Sequence, residues 1–147
     1  GINMAEETKA KALKEYFETN HPGIFQVEEI GDEIHTHVFR SHIQTEGQSL
    51  PTAIFVDDTI YVMIRVQVAT GALKEKNEEQ VLTYLNEQNR SYKVFKYFLD
   101  EDGNIFLDAC VPTTDDDFNP ELIRVILDVM VGHLTENYAG LMKKIWA

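Results

Sequence analysis

Along this chain the spacing of apolar and polar positions changes period several times, and each change marks an element. Over residues 5–19, Leu13, Tyr16 and Phe17 fall on one helical face with Lys and Glu opposite, until Asn20, Pro22 and Gly23 end the run. From Ile24 the period becomes two, with Phe25 and Val27 on one side, and Gly31-Asp32 predicts a turn into a second strand over residues 33–42. Residues 44–51 carry Gly47, Ser49 and Pro51 with little apolar content and read as a loop. Residues 52–56 and 59–70 then read as two strands joined at Asp57-Asp58. In the longer strand Ile60, Val62, Ile64, Val66 and Val68 share one face, while Tyr61, Met63, Arg65 and Gln67 share the other. Alternation this one-sided belongs to an antiparallel sheet with a single face on the core.

The second half repeats the alternation of helix and strand. Asn77 is placed to cap a helix over residues 77–92, with Gln80 at the capping-box position and Val81, Leu82 and Leu85 as its buried stripe. A hairpin follows, turning through Asp102-Gly103. It sets Phe95, Tyr97 and Leu99 on one face and Val94 and Phe98 on the other, opposite Ile105, Leu107, Ala109 and Val111. Asn119-Pro120 opens a last helix reaching about residue 144. Its core stripe is Ile123, Ile126, Leu127, Met130, Leu134, Tyr138, Leu141 and Ile145. Leu122, Val125, Val129 and Val131 widen that stripe beyond what one sheet needs, and only Arg124 and Asp128 interrupt it. The expected fold is α+β: one domain over residues 1–147 with a curved antiparallel sheet and helices at the N-terminus, in the middle and at the C-terminus, in the order α-β-β-β-β-α-β-β-α. Residues 1–3, ahead of Met4, read as a cloning remnant and stay outside the fold reasoning.

Composition narrows the class of partner. With 44% hydrophobic residues over 147 positions, the chain can bury a core without disulfide or metal staples. A formal charge of -12 disfavours the nucleic-acid backbone and anionic membrane surfaces, whose affinity rests on cations. A lone cysteine, Cys110, gives no internal disulfide and suits the cytoplasm. No segment has the apolar length of a membrane span. A helix apolar on two sides, with a hairpin apolar on both faces, predicts a homodimer that buries the surplus. Val125 and Val129 are the first candidates for the contact, and the Tyr61 and Met63 face of the sheet is the second.

No spacing meets the requirements of a catalytic or cofactor motif. The run Asp100, Glu101, Asp102, Gly103, Asn104 lacks the twelfth-position glutamate and flanking helices of a calcium loop, and reads as a hairpin turn. His35 and His37 would share a strand face, a start for a zinc or nickel site with His42 or Glu33, but no third ligand is fixed. His133 reads as a polar-seam residue. Cys110 has no histidine near it in sequence and reads as a partly buried structural thiol. Asp115, Asp116 and Asp117 read as a solvated loop, since no phosphate-cradling loop accompanies them. No catalytic residue, metal ligand or cofactor is therefore assigned. A small metal- or ligand-dependent enzyme centred on His35 and His37 is the competing reading.

Several short motifs resemble the YbjN-like family of bacterial sensory-transduction regulators. They are Leu85-Asn86-Glu87-Gln88-Asn89, the run FKYFLD from Phe95 to Asp100, Asp102-Gly103, Ile105 to Leu107, and the closing helix from Pro120 to Leu141. Asn89 resembles the family's asparagine at the end of the middle helix, and the likeness runs from about Tyr61 onward. The resemblance implies the fold of class I type III secretion chaperones, which are small, acidic, usually homodimeric proteins that hold extended segments of others. It also implies a non-catalytic binding or regulatory role with an unknown protein partner.

Overall fold

The computed structural model describes residues 8–146. Helix α1 (Lys9–Asn20) begins at Thr8, whose hydroxyl accepts the Lys11 N–H. The earlier start expected at residues 5–7 lies outside the described residues. Strands β1 (Gln26–Glu29), β2 (His37–Thr45), β3 (Gln48–Val56) and β4 (Tyr61–Ala69) follow, then α2 (Glu78–Ser91), β5 (Phe95–Leu99), β6 (Ile105–Pro112) and α3 (Pro120–Trp146). All six strands form one antiparallel open sheet in the order β1-β2-β3-β4-β6-β5. The element order is the one the sequence pattern implies.

Three stretches depart from that pattern, each for a local reason. β2 starts at His37 and not at residue 33, because the Asp32 carboxylate accepts both the backbone N–H and the hydroxyl of Thr36 at 2.7 and 2.6 Å. This closes a loop in which His35 adopts φ 54°. Residues 44–51 are paired strand and not loop. Glu46 and Gly47, at φ 47° and 74°, make a two-residue turn with Thr45 opposite Gln48. Pro51 is tolerated there because it sits one residue outside the β3–β4 ladder, where its missing N–H removes no cross-strand bond. Ile60, placed by periodicity on the buried face, lies before β4 and is half exposed: Asp57 caps Thr59, and the Ile60 carbonyl accepts the Thr113 N–H at 2.6 Å.

One parity of strand residues meets the helices. Phe39, Ile54, Ile64, Leu107 and Phe95 join Leu13 and Phe17 of α1, Val81 and Leu85 of α2, and the expected stripe of α3 in a single core cluster. Met130, Leu134, Leu141 and Ile145 are at most 2% exposed. Burial of each contributes about 1.5–3 kcal/mol. Leu82, expected in the α2 stripe, is instead exposed. α2 turns Tyr84 toward α3, where its hydroxyl lies so near Gly140 that a Cβ there would meet it at 3.2 Å. That roll carries Leu82 outward.

Side-chain amides lock the helices to the sheet. Asn77 makes no cap bond to its own helix. Its buried amide donates to the Ala72 and Ile145 carbonyls at 2.8 and 3.0 Å and accepts the Lys74 N–H, while Gln80 donates to the Lys144 carbonyl at 2.6 Å. The two residues expected to cap α2 therefore satisfy the orphan carbonyls at the end of α3. Asn89 bonds both the N–H (2.7 Å) and the carbonyl (3.1 Å) of Tyr97, so its amide occupies the ladder position beside edge strand β5.

Candidate interaction site

Every described helix lies on one face of the sheet, and the opposite face carries three cross-strand rows. The first runs Val38, which is buried, then Phe55, Met63 and Cys110; the third runs Gln67, Phe106 and Phe98, with the His42–Pro51 pair of β2 and β3 beyond the end of the β3–β4 ladder. Between them Arg40, Ala53, Arg65, Asp108 and Lys96 form the middle row. At its centre Arg65 grips Asp108 with two parallel N–H···O bonds of 2.9 and 2.8 Å. The same guanidinium lies 5.1 Å from the Phe98 ring centre and 5.5 Å from that of Phe106, and the two rings stack on each other at 5.2 Å. The Asp108 carboxylate raises the Arg65 pKa. Tyr61 is 50% exposed and Phe98 38%, while Met63 is half-buried. Cys110, expected partly buried, is exposed on this face, and partial desolvation with Asp108 nearby pushes its thiol pKa up. A raised pKa makes it a poor nucleophile.

The second apolar surface is smaller. Leu122, Val125 and Val129 stand 40–47% exposed along the outer side of α3, and the cleft beside Leu122 also admits Ile60. Val131 folds inward against the core with Leu127. Among the described residues, α3 is covered on one side and bare on the other, where the sequence pattern expects two buried sides.

The candidate chemical groups are dispersed. His35 donates to Asp58, which raises its pKa, and His37 pairs with Glu29 at 3.0 Å, so the two imidazoles turn to separate carboxylates. His42 is exposed on the opposite side of β2 from Phe39. Among the described residues, no three His, Cys, Asp or Glu side chains gather as a metal cluster would require. In the hairpin turn Asp100 accepts the N–H groups of Asp102 and Asn104, so the carboxylate is spent on its own backbone. Gly103 is needed there, since φ is 77° and a Cβ would stand 3.1 Å from the Leu73 carbonyl.

His133, read from sequence as a seam residue, is in fact buried. Its Nε2 lies 2.8 Å from the Tyr97 hydroxyl, with Tyr92 and Phe95 against the ring. Burial pushes its pKa down to about 4 and raises that of Tyr97, so both are neutral near pH 7. This pair and the Arg65–Asp108 grip join residues 36 and 43 positions apart, whereas the Asn89 bridge spans eight. The one local signal available was the run of outward aromatics at Phe98 and Phe106.

Among the described residues the chain is a small α+β protein whose helices cover one face of a single antiparallel sheet. The family model YbjN, described as "Putative bacterial sensory transduction regulator", matches residues 32–141, and the chain belongs to that family. The match begins well ahead of Tyr61 and takes in the β2–β3 hairpin. No curated protein matches the chain. None of the described helices is long and apolar enough to cross a membrane.

Proposed function

We propose that this chain is a non-catalytic, protein-binding regulatory protein of bacterial type, chaperone-like in holding segments of other proteins, and that it acts as a cytoplasmic homodimer. The observation that carries the reading is the sheet face that no described helix covers: aromatic and thioether side chains stand half-exposed there around a structural ion pair, an arrangement suited to contact. Membership of a family of sensory-transduction regulators supports a regulatory role. The separate carboxylate partners of His35 and His37 argue against a shared metal centre. The test is mass in solution by light scattering coupled to size exclusion. Twice the 16.9 kDa chain mass at micromolar concentration is expected, and the mass of one chain would remove the homodimer.

A further inference from the structure

We infer that the occupant of the open sheet face is a second copy of this chain, with the two sheets packed face to face, and that the α3 stripe is not the dimer contact. The inference rests on the homodimer reading above and adds which surface makes it. The argument begins with charge. A copy brings the same -12, so two copies meet at least cost where the surface is neutral. The outward strand residues supply that surface. Their charged members are Glu28, Arg40, Arg65, Lys96 and Asp108, three cations and two anions, and four of the five are already paired as Arg40–Glu28 and Arg65–Asp108. The fifth, Lys96 on edge strand β5, donates its ammonium to the Asn89 and Tyr92 carbonyls at the end of α2, so on a strongly acidic molecule this face is close to neutral. A basic client would be drawn to the acidic surfaces elsewhere and would gain nothing from this one.

The α3 stripe fails the same requirement. Beside Val125 and Val129 the Arg124–Asp128 pair cancels, which leaves Glu121, one turn before Val125, with no cation partner among the described residues. Two such stripes brought together would oppose carboxylate to carboxylate. Size separates the surfaces as well. Six strands about 4.8 Å apart, averaging about seven residues at about 3.3 Å each, make a face of roughly 700 Å² before side-chain relief, close to the roughly 800 Å² per partner of a standard interface. The stripe from Leu122 to Val129 covers only about 10 Å of helix at 1.5 Å per residue. An Arg stacked on two aromatic rings with Met63 and Phe55 nearby also has the composition enriched at interface centres.

The test compares two double variants at exposed positions, where glutamate should not unfold the chain: Tyr61→Glu with Phe98→Glu on the sheet, and Val125→Glu with Val129→Glu on α3. Light scattering should show the sheet variant reduced to single-chain mass, a dissociation constant raised at least tenfold, and the helix variant still dimeric, each with unchanged circular dichroism. If the sheet variant unfolds, Cys110→Arg, an exposed substitution on the same face, replaces it and should dissociate the dimer too. A helix variant that dissociates while the sheet variants stay dimeric overturns this assignment and leaves the homodimer standing. Wild-type protein at single-chain mass overturns both.

Discussion

The bare side of α3 and the bare face of the sheet are both apolar, both half-exposed and both drawn from elements whose other side builds the core. They differ in what surrounds the apolar atoms. On α3, Leu122, Val125 and Val129 stand beside Glu121 and the Arg124–Asp128 pair, which leaves one carboxylate uncompensated. On the sheet, neighbouring strands bring Arg65 to Asp108 from 43 residues away, and the charges cancel in place. Exposed hydrophobicity alone thus ranks the two as equals, while charge balance and area separate them.

The sharpest test of that comparison lies on α3 itself, which has one buried side and one bare one. Met130→Ala should cost about 2–5 kcal/mol in urea denaturation, because the side chain is fully buried. Val129→Ala, one position away, should fall within about 0.5 kcal/mol. Similar losses for both would mean that α3 is covered on its second side even in the monomer.

The buried side also carries a pH signature that the bare side lacks. The folded pKa of His133 is lowered to about 4 against 6.5 for the free residue, so its contribution is fully present above pH 6.5 and is lost as pH falls toward 4. The linked loss is about 3 kcal/mol at most. His133→Gln should flatten the decline in stability over that window, and an unchanged slope would place the titration elsewhere.

On the sheet, Arg65→Ala strands Asp108, which is 16% exposed, and removes the cover from Phe98 and Phe106. A cost of about 1–2 kcal/mol is expected by denaturation. A neutral result would show that the grip is a surface pair of no consequence, and the comparison would lose its central feature.

The buried skeleton was legible because period alone encodes it. β4 alternates from Val62 to Val68, and α3 repeats at three and four from Ile123 to Ile145; both lie as the pattern requires. The β2–β3 hairpin escaped because its turn is Glu46-Gly47, with a glutamate at positive φ, and because Pro51 argues against a strand unless the end of its neighbouring ladder is known. Asn77 and Gln80 are legible as helix-terminal residues but their partners are not, since their bonds to Ile145 and Lys144 cross more than sixty positions. The open sheet face is half legible. Tyr61 and Met63 mark it by parity, whereas its neutrality depends on pairings that only the sheet order creates.

The central claim, that two copies meet through their open sheet faces, has a reporter already in place. Cys110 is the chain's one cysteine, exposed on that face in the row with Met63. Its rate of reaction with a soluble thiol reagent, followed at one fixed alkaline pH while protein concentration is raised through the dimerisation range, should fall as the fraction of dimer rises. A rate that stays constant where light scattering shows dimer would place the contact elsewhere and contradict the account.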